Sequence, residues 1–151
     1  MHVTVAIEDM DAFLADPRHA ARASGWLDCA ALGGRLLVAR GLVELMVTVG
    51  GRRRMHYRLP FADDRGRQLV LNGHKELRAG PPTAIWPDTT TLHAKVLAGD
   101  VTLGAGTLTL GRLDFLRELT TIRATSPSVL EQFGTFFLGS LWQVYRPRLT
   151  S

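Results

Sequence analysis

Regular alternation of apolar and polar residues marks the start of the chain. Residues 2–8 carry valine or isoleucine at every second position from residue 3, which predicts a half-buried β-strand. Asp9 or Asp11 can then cap a short helix, because an aspartate oxygen accepts a hydrogen bond from a backbone N–H of the first turn. We therefore predict a strand followed by a short helix, which Pro17 would either break or restart.

The middle of the chain consists of β-rich runs separated by glycine-containing turns. Between residues 24 and 77 the predicted turns are Gly33–Gly34, Gly50–Gly51 and Asp63–Gly66. Strands that follow one another this closely, joined by short turns, are typical of an antiparallel meander. Two further strands are predicted over residues 89–98 and 101–110. Gly104 and Gly106 in the second of these indicate a β-bulge or a close approach by backbone or ligand.

Towards the C-terminus the pattern changes to helical spacing. Residues 113–122 fit either a helix or a strand, whereas residues 126–145 predict a helix that begins at Ser126 or Ser128. Its apolar residues cover more than one stripe, so we expect it to pack on the sheet or on a partner. These residues are Val129, Leu130, Phe133, Phe136, Phe137, Leu138, Leu141, Trp142 and Tyr145.

Strands in meander order leave exposed sheet edges unless the sheet closes. The sequence therefore predicts a mainly β, α+β fold of a single domain over residues 1–151. Its expected form is a lipocalin-like antiparallel up-and-down β-barrel, with a short N-terminal helix and a C-terminal helix packed on it. A two-layer α+β sheet curved around a helix is the alternative.

Strand alternation also predicts which side chains face the interior. Residues 55, 57, 59 and 61 form one apolar face, and residue 75 falls on the apolar face of the next strand. The same test places His56, His74 and His93 on the opposite face, so we expect no metal site in the interior.

Lys75 is thus the candidate polar group of the interior. A buried ammonium needs a carboxylate partner or a lowered pKa. The structural interpretation is an ion pair with Asp88 or Glu44, or a stem that reaches solvent. The functional interpretation is a cation that orients a ligand. The predicted ligand-contacting residues are Met55, Tyr57, Phe61, Leu71, Lys75 and Trp86. If the protein is an enzyme, Lys75, Tyr57 and Asp88 are the candidate catalytic residues.

The stretch WPDTTTLHAKV, residues 86–96, combines several reactive side chains with the alternation of a strand. We interpret it as a rim turn followed by a strand. Trp86 would plug the barrel rim, and Asp88 would cap the turn.

Composition excludes several classes of function. The formal net charge is +4, yet Lys75 and Lys95 are the only lysines, an arginine bias typical of a GC-rich genome such as an actinobacterial one. No basic stripe interleaved with aromatics indicates nucleic-acid binding. The cluster Arg52–Arg54 is interpreted as a solvated hairpin end, with an anionic partner as the alternative.

The compartment and the cofactors are also constrained. One cysteine, Cys29, excludes an internal disulfide, and early acidic residues argue against a signal peptide, so we expect a cytoplasmic protein. No phosphate loop, dinucleotide fingerprint, nucleophile elbow or zinc motif is present, and no cofactor is expected.

One resemblance covers nearly the whole chain. The order LADP, LGG, MHYRLPF, LNGHKEL, WPDTTTL, GAGTLTL, DFLREL and FGTFF resembles a non-catalytic segment of large bacterial fusion chains, which join a cholesterol-oxidase-like (GMC-type) flavoprotein to a hydrolase. The resemblance implies a domain associated with enzymes that act on sterols or other lipids. It carries no catalytic residue onto this chain and implies no flavin.

Three functions follow as hypotheses. The first is a binding domain that holds an apolar small molecule, such as a sterol, a fatty acyl chain or a polyketide, in the cavity of the β-barrel, oriented by Lys75 and Tyr57. The second is a cofactor-free cyclase or isomerase of secondary metabolism that works by positioning its substrate. The third is an interaction module whose C-terminal helix docks a second subunit, a partner enzyme or, as a weaker alternative, a membrane surface.

Overall fold

One antiparallel sheet of seven strands organises the protein, and each strand lies beside its neighbour in sequence. The structure is a computed structural model that describes residues 2–50, 52–77, 91–109 and 127–145. The strands are β1 (His2–Ala6), β2 (Ala20–Cys29), β3 (Gly34–Val49), β4 (Arg52–Ala62), β5 (Gln68–Leu77), β6 (Thr91–Ala98) and β7 (Val101–Thr109).

Within the described residues, one α-helix follows the first strand and another follows the last strand in sequence. Helix α1 spans Met10–Ala15, and its N-cap is Asp9, whose Oδ1 accepts a hydrogen bond from the N–H of Ala12 at 3.1 Å. Helix α2 spans Pro127–Tyr145, so the predicted helix is confirmed to within one residue at its start. A proline fits the first helical position because its missing N–H would have no partner in the helix.

The predicted fold class is confirmed. The chain is mainly β, its strands are antiparallel in up-and-down order, and a short N-terminal helix and a C-terminal helix accompany them. Within the described residues the sheet stays open, because β1 pairs with β2 alone and β7 with β6 alone. The ambiguous segment 113–122 lies outside those residues.

The core lies on one face of the sheet, which we call the core face. Its buried residues include Val38, Val43, Met55, Leu59, Phe61, Leu69, Leu71 and Leu77. Helix α2 packs against this face through Phe133, Phe136, Phe137, Leu141 and Val144. The period of these positions is helical, which is how one stripe of α2 covers the sheet.

The opposite side of α2 faces away from the core. Leu138 and Trp142 lie there, with exposed fractions of 66% and 64%. Such exposure fits the wide apolar surface predicted from the sequence, and docking of a partner there remains a prediction. No described helix combines the length and the apolar character needed to cross a bilayer.

Three irregularities interrupt the strand pairing. The register shifts in β2 between Ala23 and Gly25, in β3 between Glu44 and Val47, and between β6 and β7 at Val96 and Leu97. The third shift lies opposite Gly104, which confirms the bulge predicted there. Pairing of β4 with β5 runs without a shift, so the predicted alternation of inward and outward side chains holds in these two strands.

Candidate functional site

Lys75 lies on the core face, as the alternation predicts. It pairs in register with Met55 of β4, and Leu71 and Leu77 of its own strand point the same way. The side chain is half-buried, and its Nζ lies 5.3 Å from the ring centroid of Tyr57. This is the geometry of a cation–π contact. The structure therefore brings together two of the residues that the sequence singled out.

The predicted partnership of Lys75 with Glu44 is wrong. Glu44 pairs in register with His56, which places it on the other face of the sheet. There its Oε2 accepts a hydrogen bond from the Nε of Arg18 at 2.8 Å. The assignment of a strand alone did not show on which face of the sheet Glu44 lies, because its face depends on the register between β3 and β4. The second suggested partner, Asp88, lies outside the described residues, and within those residues no carboxylate forms an ion pair with Lys75.

The other predicted ligand contacts divide into two groups. Met55, Phe61 and Leu71 are 3%, 4% and 6% exposed and belong to the buried core cluster. Their side chains are occupied by packing, while Lys75 and Tyr57 keep partial access to solvent. Trp86, like Asp88, lies outside the described residues, so its predicted place at the rim remains a prediction.

Next to Tyr57, the residues that form the core face on the neighbouring strands are small. Tyr57 pairs with Gly73, Gly73 with Ala94, and Ala94 with Gly106, so one cross-strand row carries a single large side chain. Leu92 leans over Gly73, since a Cβ built on Gly73 would lie 3.0 Å from its Cδ1.

The row ends at β7. Among residues 2–50, 52–77, 91–109 and 127–145, a Cβ on Gly104 or Gly106 would meet no heavy atom within 4 Å. We call the exposed part formed by Ala94, Gly104 and Gly106 the glycine platform. The sequence indicated its glycines as a place of close approach but did not connect them to Lys75, because the connection requires the strand register.

On the opposite face of the same strands, three histidines stand in one row. His56 pairs with His74, His74 with His93, and His93 with Thr107. The rings of His74 and His93 are 5.4 Å apart between centroids. Their predicted orientation away from the apolar face is confirmed. Their alignment in one row was not predicted from the sequence, because alternation within each strand does not show which residues of neighbouring strands lie opposite each other.

The histidine row lines an open groove of about 680 Å³. We call this groove, with its lining side chains Arg54, His56, His74, His93, Lys95 and Thr107, the histidine groove. Backbone of Gly73, Ala94 and Gly106 forms part of its floor. The glycine platform and the part of the histidine groove formed by β6 and β7 therefore lie on opposite faces of these two strands.

Charges at the edge of the groove are arranged unevenly. Burial lowers the pKa of His74, and the positive charge of Arg54 and the neighbouring His93 lower it further, while Glu76 opposes them. The Oε1 of Glu76 accepts a hydrogen bond from the Nη1 of Arg52 at 2.9 Å and lies 3.9 Å from the Nη2 of Arg54. The lowered pKa favours the neutral form of the His74 imidazole.

The arginine cluster 52–54 is only partly the solvated hairpin end that the sequence suggested. Arg52 and Arg54 approach Glu76, and the Nη2 of Arg53 donates a hydrogen bond to the Oε1 of Gln143 in α2 at 2.8 Å. The cluster thus ties the start of β4 to β5 and to the C-terminal helix.

Metal binding finds no support in the described part of the chain. Across residues 2–50, 52–77, 91–109 and 127–145, no group of three histidine, cysteine or acidic side chains is placed to hold a metal ion. Imidazoles on adjacent strands here stand side by side and do not converge on one point.

Comparisons with known proteins give no match from which a function could be inferred, so the inference of function depends on the fold and on the site. No protein-family model matches the chain, and no curated protein or solved structure matches it significantly.

Proposed function

We propose that this protein binds an apolar small molecule with a polar end, such as a sterol, a fatty acyl chain or a polyketide, on the core face of its sheet. The observation that carries the proposal is the position of Lys75. Its ammonium stands on an apolar face next to a tyrosine ring and has no carboxylate partner among the described residues.

Desolvation gives the physical reason. An ammonium that is partly removed from water loses hydration, and a π-face returns only part of that free energy. A ligand carboxylate or carbonyl near Nζ would supply a charge-assisted hydrogen bond, and the Tyr57 hydroxyl could donate a second one. Lys75 and Tyr57 would then fix the polar end of the ligand.

The apolar part of the ligand has a surface beside this pair. Ala94 and Val96 are half-buried, Leu108 is 44% exposed, and Gly104 and Gly106 add no side chain that would obstruct contact. A flat apolar ligand lying there would bury these side chains and the accessible backbone together.

Thermal unfolding with a lipid panel tests the proposal. The panel contains cholesterol, saturated fatty acids and their methyl esters, and native mass spectrometry of the purified protein is run in parallel. At a hundredfold excess over Kd, binding stabilises the folded state by about 2.7 kcal/mol, which raises Tm by about 5–10 °C.

Lys75→Met is the informative variant, because methionine keeps an apolar stem and removes the charge. We expect fatty-acid binding roughly tenfold to a hundredfold weaker in Lys75→Met. Arg40→Met is the matched control, because it removes the same charge from an exposed residue of β3 that lies outside the histidine groove. Equal affinities in the two variants, or no shift of Tm with any lipid of the panel, would refute the proposal.

A further inference from the structure

The histidine groove has the chemistry of an anion site. Two permanent cations, Arg54 and Lys95, lie on its walls, and three imidazoles and the Thr107 hydroxyl add hydrogen-bond donors. Among the described residues that line the groove, none carries a carboxylate. A cleft whose walls carry one sign of charge concentrates ligands of the opposite sign.

The nearby carboxylates are held by arginines. From β3, Glu44 accepts a hydrogen bond from Arg18 and lies 3.8 Å from the Nδ1 of His56. From β5, Glu76 accepts a hydrogen bond from Arg52 at 2.9 Å. Arg18 and Arg52 therefore offset part of the negative charge of these two acids at the rim, and the side chains that line the groove carry only positive charge.

Arg54 also has unused hydrogen-bonding capacity. Its Nε is buried and has no hydrogen-bond partner in the described structure, and its Nη2 approaches Glu76 no closer than 3.9 Å. An unsatisfied guanidinium N–H is costly, and a planar guanidinium suits the oxygens of a phosphate or carboxylate. On β7, the Oγ1 of Thr107 lies 3.5 Å from the Nδ1 of His93, beyond the length of a strong hydrogen bond.

We propose that the histidine groove binds the oxyanion group, phosphate or carboxylate, of a small organic ligand. Arg54 and Lys95 supply the charge, and the His56, His74 and His93 row supplies donors along the oxyanion. A volume of about 680 Å³ leaves space for an organic moiety beyond the oxyanion itself. This site lies on the other face of the sheet from Lys75 and is independent of the function proposed above.

Binding of an oxyanion in the groove is coupled to protonation of the histidines that line it. Among the described residues, the titratable groups that line the groove are Arg54 and His56 from β4, His74 from β5, and His93 and Lys95 from β6. Glu44 from β3 and Glu76 from β5 lie at its rim on the same face of the sheet. A bound oxyanion favours the protonated imidazoles, so binding takes up protons. Affinity should consequently rise as the pH falls.

Isothermal titration calorimetry with phenyl phosphate and with benzoate, at constant ionic strength, measures the affinity of the site. We expect millimolar or tighter binding of at least one probe, and tighter benzoate binding at about pH 6 than at about pH 8, because benzoate keeps its charge over this range while the imidazoles gain theirs. Phenyl phosphate alone would assign a phosphate, benzoate alone a carboxylate, and both a general oxyanion site. Absence of binding by both probes, or tighter benzoate binding at the higher pH, would overturn the proposal.

Variants locate the binding. In Arg54→Gln/Lys95→Gln the affinity should fall by about tenfold or more. Arg22→Gln/Arg40→Gln removes the same charge from exposed arginines of β2 and β3 that do not line the groove, and its affinity should match the wild type. An equal loss in both double variants would mean that net charge, and not the groove, attracts the probe.

A measurement on the unmodified protein covers the case in which a groove variant fails to fold. In ring ¹H–¹⁵N spectra, the probe should shift the signals of His56, His74 and His93. His2 and His19 lie outside the groove and serve as internal references. Shifts confined to these two references would contradict the proposal.

Discussion

Gly25 shows how a single position can fix an edge of the sheet. It sits at the register shift of β2, opposite Val3 of β1, and its φ of 151° is one that side-chain-bearing residues rarely adopt. A Cβ at this position would run into the backbone oxygen of His2. Glycine is therefore what allows β1 to lie so close to β2.

We predict that Gly25→Ala lowers the free energy of unfolding by more than about 1 kcal/mol, because it adds backbone strain to the clash. Urea unfolding followed by circular dichroism measures the change. Gly104→Ala is the matched control, since its Cβ would meet no neighbour and should leave stability unchanged or slightly higher. Equal midpoints for the two variants would show that the approach of β1 does not depend on Gly25.

At the scale of single residues, the sequence predicted on which face of the sheet a side chain lies, but not which residues of other strands it contacts. Period-two alternation placed Lys75 inward and the three histidines outward, and both placements hold because β4 and β5 pair without a bulge. The assignment of Glu44 as a partner of Lys75 failed because a partner is defined by the register between strands.

Among the elements, the turn between β4 and β5 depends on one carboxylate. The Oδ1 of Asp63 accepts hydrogen bonds from the N–H groups of Arg65 and Arg67 at 3.0 and 2.8 Å, and its Oδ2 accepts one from the Nε of Arg67 at 3.1 Å. Burial by itself would raise the pKa of Asp63, but the hydrogen bonds from Arg67 and Arg65 outweigh it and lower the pKa.

The lowered pKa makes the turn sensitive to acid. The native carboxyl binds protons less readily than the unfolded one, so its contribution to stability is complete above the ordinary value of 3.8 and is lost as the pH falls through the lower native pKa. We predict that Asp63→Asn lowers Tm by several degrees at neutral pH and that the difference from wild type shrinks below about pH 4.

Calorimetry across the acid range checks this prediction. Asp64→Asn is the control, because Asp64 is an exposed neighbour in the same turn. A constant difference in Tm down to the lowest pH would contradict the assigned role of the Asp63 carboxylate.

Most elements were readable from local pattern. The alternation of β4 to β6, the cap at Asp9 and the helix from Pro127 all depend on residues close in sequence. The bulge in β3 was not predicted. There Met46 adopts a φ of 58°, a conformation imposed by tertiary contacts and not by local preference.

At the scale of the whole molecule, α2 joins the helical layer to the sheet. Leu141 is 9% exposed within the core cluster, while Leu138, three residues earlier, is 66% exposed on the other side of the helix. The same substitution made at each of these two positions therefore distinguishes the packing of α2 on the sheet from the stability of the helix itself.

We predict that Leu141→Asp destabilises the protein by about 3–5 kcal/mol, because it places an unpaired charge in the core. Leu138→Asp should have little effect. Near-ultraviolet circular dichroism and binding of a hydrophobic dye report whether α2 still packs on the sheet. Equal destabilisation by both variants would mean that the outward face of α2 is also covered.

The sequence by itself determined the class of the fold, the order of the strands and the face on which Lys75 and the three histidines lie, because these follow from periodicity within single segments. Only the tertiary structure decided that Lys75 lies over Tyr57, that Glu44 belongs to the opposite face, and that three histidines form one row. Each of these depends on the register between strands, which is set by bulges and by packing over the whole sheet.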